Sequence, residues 1–434
     1  MTNKNEMNNP KKDKLIISYD RFIPAQLYNL VNKKYLTDVE LGDQVELKLT
    51  IFFSDIRDFT RISEALSPRE NFKFINDYFG QFELLIGKYH GIIDKYIGDS
   101  LMAIFPNDSD DALDCAIQIL KQLKKYNTSR DKLSKPPIVT GIGLNTGFCM
   151  FGVVGGHNKM EFTVISDSVN ISSRIQELTK SYGVDLLISE NTLYSLKDET
   201  KYSYRFIDRV ILKGKSKPQS VYEVYDHDEA HLKRLKDETK HLFEEALAHY
   251  HYKDIPKAKK LLEKCLELNP GDNPAKVYLE RCEMFSKTGF HAGAKELKQQ
   301  VEWSSEFEVG NKEIDEQHFN LFANSIKLLN AIDRGIGNSE IDNLVKFLDN
   351  YVINHFKTEE AYLKKHNYPF LDHQHEQHLN FKKAFKQLKN EIKSGSKSKI
   401  FIMFKTQTLL VDWIVNHTIL EDNHYGKYIR RKHK

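Results

Sequence analysis

The stretch Gly91–Phe105, GIIDKYIGDSLMAIF, constrains the fold more than any other part of the chain. Two apolar, β-rich runs, IIDKYI and SLMAIF, flank Gly98-Asp99, a pair suited to a tight hairpin turn. Such a hairpin holds the Asp99 carboxylate rigidly at a sheet edge. Upstream, Lys48–Phe53 (KLTIFF) reads as another buried strand, and it delivers Asp55 in SDIRDFT. Two carboxylates at strand ends suit a pair of Mg²⁺ ions on a triphosphate, because magnesium is a hard cation that takes a few carboxylates together with phosphate oxygens.

Around this hairpin, strand and helix patterns alternate. Leu41-Gly42-Asp43 reads as a turn into the first strand, and Pro68-Arg69-Glu70 opens a helix with Phe72, Ile75, Phe79, Phe82, Leu85 and Ile86 at helical spacing. Asp110–Tyr126 repeats that period through Ala112, Cys115, Ile119, Leu120 and Leu123. Ile138–Leu144 and Phe148–Val154 read as two strands separated by Asn145-Thr146-Gly147; VNISSRIQELTKSYG then reads as a helix, LLIS as a strand and RVILKGKSKPQSVYEVY as a final hairpin. With no P-loop or Rossmann phosphate motif, the class is α+β, or α/β with a mixed sheet. From about Asp228 the pattern becomes wholly helical. Residues 229–286 look like a tetratricopeptide-type hairpin, with Ala246, Tyr250, Ala258 and Pro270 near the usual places. One repeat cannot bury both its faces, so it reads as a docking or coupling linker. Residues 301–430 hold four amphipathic helices, broken near Gly335–Asn338, Tyr368-Pro369 and Ser394–Ser398, which predicts an all-α up-down four-helix bundle.

A chain of 434 residues needs more than one core, so the fold is multidomain. Charge is nearly balanced at +3 with no long basic block, so nucleic acid is not the expected partner. The polar start MTNKNEMNNPKKDK is no signal peptide, and no run approaches the ~18 apolar residues of a membrane span. Cys115, Cys149, Cys265 and Cys282 lie apart, without C-x-x-C pairing, as in a reduced protein. The expectation is a cytoplasmic protein with no membrane insertion.

FFSDIRDFTRISE, GIIDKYIGDSLMAIFP, GIGLNTG, FTVISDSVNISSRI and VILKGK occur in that order, and over roughly 45–226 the chain resembles the class III nucleotidyl cyclase catalytic domain. Residues 1–44 then form an N-terminal tail and lead-in. The resemblance implies a ferredoxin-like mixed sheet with flanking helices, ATP as substrate, and 3′,5′-cyclic AMP and pyrophosphate as products. Asp55 and Asp99 match the family's metal-binding aspartates, which hold two Mg²⁺ (or Mn²⁺), and the Ile56 carbonyl is a further ligand. Asn170 and Arg174, four apart on one helix, match the residues that orient the ribose and stabilise charge on the α-phosphate. Lys213 matches the lysine that pairs with the terminal phosphates, with Lys215 the weaker candidate. Lys95 and Thr163 match the adenine-selecting pair, since a guanine-selective site would present an acid in place of Lys95. The resemblance also implies a homodimer with two shared sites. Asp58 and Ser166 depart from the family's usual glycines: Asp58 adds a negative charge near the metal site, and Ser166 gives up backbone freedom.

In the helical C-terminal part, His318 (IDEQH), His355 and Glu359 (HFKTEE), His378 (HEQHLNF), and His417 and Asp422 (WIVNHTILED) fall on four successive helices. Imidazoles and carboxylates projected into a bundle core suit iron. With Trp303 and Trp413, the set resembles bacterial hemerythrin. That resemblance implies a non-haem di-iron centre that binds O₂ or another small diatomic ligand, with Glu359 and Asp422 as bridging carboxylates. The family's third helix usually carries H-x-x-x-H; here its first position is Gln374, so Gln374 or His375 completes the set, or one iron keeps an open position. His366 and His424 read as surface residues.

Together the halves predict an adenylate cyclase regulated by O₂ or by redox state, with the helices at 229–286 transmitting the signal. Two alternatives stand beside it: an iron or O₂-binding protein with an inactive cyclase half, and a cyclase whose bundle is a metal-free dimerisation module.

Overall fold

A computed structural model describes residues 22–132, 135–210, 219–290, 303–335 and 338–432. Lys213 and Lys215 lie outside the described residues. The N-terminal half is a mixed sheet flanked by helices, and the C-terminal half is wholly helical.

The sheet runs β2-β3-β1-β4-β6-β8-β7, with β5 added alongside β4. Its strands are β1 Gln44–Ile56, β2 Ile92–Ile97, β3 Ser100–Phe105, β4 Thr140–Gly156, β5 Lys159–Ile165, β6 Leu186–Ser189, β7 Tyr204–Val210 and β8 Gln219–Val224. β4 and β6 are parallel and the other pairs antiparallel. The helices of this half are α1 Ala25–Leu30, α2 Phe59–Glu64, α3 Pro68–Lys88, α4 Ser109–Asp131, α5 Asp167–Tyr182 and α6 Glu190–Tyr194. α3 opens with a complete capping box, Ser67 with Glu70, ahead of Pro68. α5 crosses β4 so closely that a Cβ on Gly143 would meet the backbone of Gln176 at 2.3 Å, which is what the glycines of GIGLNTG are for.

Two expectations fail here. The turn placed at Asn145-Thr146-Gly147 does not exist, because β4 runs unbroken through it. β1 pairs with it residue for residue (Ile51 with Asn145, Thr50 with Thr146, Leu49 with Gly147), and the Thr146 hydroxyl bonds Thr50 at 2.9 Å. The long partner strand overrides the local turn chemistry. In α3, Phe72 points outward at 76% exposure, because the buried stripe runs through Phe74, Tyr78, Phe82 and Ile86 instead.

The middle segment forms three helices rather than a two-helix hairpin: α7 Ala230–His251, α8 Ile255–Leu268 and α9 Asn273–Thr288. They pack on the β7 edge of the sheet. Arg205, fully buried, bonds Glu223 at 2.7 Å and grips Asp272 with both of its terminal nitrogens.

The bundle comprises α10 Lys312–Arg334, α11 Asn338–Lys365, α12 Leu371–Ser394 and a last helix from Lys399 to Lys432. That last helix widens twice into π turns, Gln407–Asp412 and Thr418–Asp422, on either side of Trp413–His417. One apolar cluster unites all three parts: Phe206 and Val221 of the sheet, Phe243 and Tyr250 of the middle helices, Phe401 and Trp413 of the bundle. No described helix is long and apolar enough to cross a membrane.

Candidate functional site

Two constellations emerge, joined by a polar seam. The first lies where β1 ends against the β2–β3 hairpin. Gly98 takes φ +65° in the turn, the left-handed conformation that glycine favours. Ser54 pairs with Leu101, so Asp55 arrives beside Ser100, whose hydroxyl donates to Asp55 Oδ1 at 2.5 Å. Asp99 closes the group. Burial and then the Asp55 charge push its carboxyl up to about 6, while a backbone hydrogen bond from Ile56 pulls the other way. Asp55, Ile56 and Asp99 thus meet in one place, and a carboxyl whose proton affinity is raised by burial and by a neighbouring carboxylate is what a divalent cation relieves.

Lys95 and Thr163 also meet. The Lys95 ammonium donates to the Thr163 hydroxyl at 2.9 Å and pairs with Glu161 at 3.3 Å and Asp94 at 3.4 Å. Asp94 occupies an irregular register between Ile93 and Lys95, and burial pushes its carboxyl up to about 6. On α5, Asn170 is exposed and Arg174 half-buried, one turn apart near the N-terminal end. Asp58 adopts φ +54°, which explains the usual glycine, and pairs with Lys180 at 3.0 Å. Ser166 needs no special freedom: its backbone is extended, it caps α5 through Ser168 N–H, and it donates to the Phe148 carbonyl.

The second constellation is in the bundle interior. His318, His355, Glu359, His378, His417 and Asp422 are all buried. Asp422 lies 3.3 Å from His318 Nε2 and 3.2 Å from His417 Nε2, and Glu359 lies 3.7 Å from His355 Nε2 and 3.2 Å from His378 Nε2. Each carboxylate therefore sits between two imidazoles from different helices. Gln374 enters the same space, its amide nitrogen 3.0 Å from His417 Nε2 and 2.6 Å from Asp422 Oδ1. His375 does not: its side chain is half exposed and pairs with Glu360 at 3.1 Å. The residues fit a metal centre. His318 Nε2, His378 Nε2, Glu359 Oε2 and Asp422 Oδ2 are buried without a hydrogen-bond partner and face one another across the interior, and such polar atoms are costly unless a cation claims them.

The imidazoles are also fixed from behind. His355 Nδ1 faces Gln317 Oε1 at 3.0 Å, His378 Nδ1 faces Glu360 at 2.9 Å, and His417 Nδ1 faces Gln377 Oε1 at 2.8 Å, which turns each Nε2 toward the interior. Tyr425 donates to Glu359 at 2.7 Å. The sequence reading missed these supports, although the triplet Glu-Gln-His occurs at both 316–318 and 376–378, and in each the Gln buttresses a histidine of the following helix.

The seam joins the two. Lys48 of β1 bonds both oxygens of Glu421, at 3.0 and 3.1 Å, with both side chains nearly buried. Burial also lowers the Lys48 pKa. Arg209 grips Asp412 at 2.5 and 2.9 Å, and Asn416 donates to Glu190 at 3.1 Å. His424, expected at the surface, is instead stacked on Phe148 (3.6 Å between centroids, 2° between planes), with Glu46 at 3.2 Å and the Tyr368 hydroxyl at 2.6 Å. Its position is set by a partner far away in sequence.

Residues 43–225 match the adenylate and guanylate cyclase catalytic domain family, and residues 309–429 match the hemerythrin HHE cation binding domain family. An adenylate cyclase of Anabaena cylindrica is 39% identical over 220 residues, 49% of this chain and 44% of that protein. The terminal-differentiation specific adenylate cyclase of Dictyostelium discoideum is 33% identical over 62% of this chain and 13% of its own length. The chain thus spans less than half the length of these relatives. Among solved structures, the adenylyl cyclase CyaB from P. aeruginosa is 30% identical, with 42% of this chain and 96% of that one aligned at a TM-score of 0.39. The chain carries a class III adenylate/guanylate cyclase catalytic domain followed by a C-terminal hemerythrin HHE domain.

Proposed function

We propose that the protein is a cytoplasmic adenylate cyclase that converts ATP to 3′,5′-cyclic AMP and pyrophosphate, and that O₂ or redox state at a di-iron centre in its bundle regulates the rate. The observation that carries the cyclase reading is the hairpin β2–β3: it presents Asp99 beside Asp55 and, four residues before Asp99, Lys95 bonded to Thr163 at 2.9 Å.

Two Mg²⁺ (or Mn²⁺), held by Asp55, Asp99 and the Ile56 carbonyl, would supply Lewis acidity at the ribose 3′-hydroxyl and the phosphates. Ser100 keeps Asp55 in its ligating rotamer. Lys95 donates to a ring nitrogen of adenine and Thr163 meets the exocyclic amino group, which favours ATP over GTP. Asn170 orients the ribose, Arg174 stabilises charge on the α-phosphate, and Lys213 holds the terminal phosphates; in a homodimer these act on the substrate bound by the partner's carboxylates. In the bundle, His318, His355, Glu359, His378, His417 and Asp422 would hold two irons that bind the diatomic ligand, and Gln374 leaves one side of the pair with a weaker donor than imidazole.

The test is turnover of ATP by purified, iron-loaded protein with Mg²⁺ or Mn²⁺, in reduced, O₂-exposed and oxidised samples. Cyclic AMP formed at different rates supports the whole reading. Equal rates remove the regulation and keep the cyclase; no product leaves an iron protein with an inert cyclase half. Iron content and the visible absorption of the same samples separate a loaded bundle from a metal-free one.

A further inference from the structure

Glu421 and Asp422 are consecutive residues in one π turn, yet they serve different neighbours. The Asp422 oxygens lie between His318 and His417 in the bundle interior. Those of Glu421 lie 3.0 and 3.1 Å from the Lys48 ammonium on strand β1 of the cyclase sheet. A second connection runs beside the peptide link. Gln377 Nε2 donates to Glu421 Oε1 at 3.2 Å while Gln377 Oε1 receives His417 Nδ1–H at 2.8 Å. From the cyclase side, then, Lys48 reaches Glu421, Gln377 and the candidate iron ligand His417 in three hydrogen bonds, through side chains that are nearly all buried.

We propose that Lys48 is a positioning residue for the iron centre, and that the turn Thr418–Asp422 is the element through which the iron centre and the cyclase sheet act on each other. The proposal rests on the iron-loaded, regulated cyclase put forward above and names the route of that regulation.

Three physical arguments support it. A π turn in an otherwise α-helical segment is a local departure from the helix's hydrogen-bond register, of the kind that gathers at functional sites. A shift of Asp422 with the occupancy or oxidation of iron is passed to Glu421 because one peptide unit joins them. On the receiving side, β1 is held by β3 and β4 on its two edges and runs unbroken from Lys48 to Asp55, so a displacement at its start is carried toward the catalytic carboxylate. The buried setting matters too, since the Lys48–Glu421 charges are screened little and polarise the Gln377 amide that supports His417.

Coupling of this kind is reciprocal for binding. Where iron state changes the affinity of the cyclase site for nucleotide, occupying that site with a nonreactive ATP analogue and Mg²⁺ shifts the midpoint potential of the iron centre by the same free energy. The experiment compares full-length, iron-loaded wild type, Lys48→Met and Lys48→Arg, recording that potential with and without the analogue and the ratio of cyclase rates in the reduced and oxidised states. The wild type is expected to show the potential shift and a rate ratio of roughly 5- to 150-fold. Lys48→Met is expected to lose the shift and to lower the ratio by roughly 2- to 30-fold, and Lys48→Arg to restore both in part. A Lys48→Met protein with the wild-type shift and ratio overturns the proposal. If the wild type itself shows neither shift nor ratio, regulation by iron fails first, and the route with it. Should Lys48→Met not load iron, Glu421→Gln carries the same comparison: loss of the shift supports the route, and an unchanged shift overturns it.

Discussion

The Lys95 ammonium and the Thr163 hydroxyl, 68 residues apart on β2 and β5, lie 2.9 Å from each other. Two separate strands therefore converge to present one donor and one hydroxyl side by side, steadied by Glu161 at 3.3 Å, the pair proposed above to read the base. Lys95→Ala removes a charge-assisted hydrogen bond, worth ~1.5–3 kcal/mol, so kcat/KM for ATP should fall by roughly 10- to 150-fold with little change for GTP. Steady-state kinetics on both nucleotides checks this; an equal loss on both would mean the pair does not read the base.

Asp99→Asn keeps the shape of the hairpin and removes one of the two charges beside Ser100. Turnover is expected to fall at least ~100-fold, as for other groups that stabilise transition-state charge. The decline should appear in kcat with Mg²⁺ and with Mn²⁺ alike.

Glu190 sits in the seam, 2% exposed, accepting from Asn416 at 3.1 Å, and burial followed by the nearby Asp412 charge pushes its carboxyl up to about 8. A carboxyl with a raised pKa in the folded state stabilises the protein fully below its unfolded value, near 4.5, and loses that contribution as pH climbs to about 8. Wild type should therefore lose stability relative to Glu190→Gln between those two pH values, by up to ~1.4 kcal/mol per pH unit, and run parallel to it above. Urea unfolding at several pH values reads the difference.

Gln317 fixes His355 through Nδ1 at 3.0 Å. Gln317→Leu frees that ring to rotate and to ligate through the wrong nitrogen. Iron affinity should drop by roughly 10- to 100-fold, measured as iron retained after dialysis against a chelator.

Arg209 and Asp412 form a nearly buried two-point ion pair between the sheet and the bundle. Arg209→Ala leaves the Asp412 carboxylate buried and uncompensated. Its expected cost is ~3–5 kcal/mol, seen as a lower urea midpoint. A double variant, Arg209→Met with Asp412→Leu, should recover most of that loss.

What could be read from the chain alone follows from the range of each signal. The β2–β3 hairpin is written locally, in alternation and in Gly98-Asp99, and the histidines and carboxylates of the bundle are written as a repeat of types on successive helices. β4 could not be read as one strand, because what carries it through Asn145-Thr146-Gly147 is the distant strand β1. Phe72 went wrong for the opposite reason: several phenylalanines share α3, and only the packed sheet decides which stripe is inside. Lys48, Glu421 and His424 look like ordinary surface residues until the fold brings the start of β1 against the last helix.

The apolar cluster shared by sheet, middle helices and bundle has a consequence for how such a fusion can change. Phe206 meets Phe404 at 5.1 Å and Tyr194 meets Trp413 at 6.0 Å, so cutting the bundle away would strip the cyclase of a wall and leave large aromatic rings facing water. The halves are no longer interchangeable parts. In this arrangement the cyclase half cannot lose its hemerythrin-like companion without rebuilding its own flank, and a change of size in either half along that border has to be met by the other.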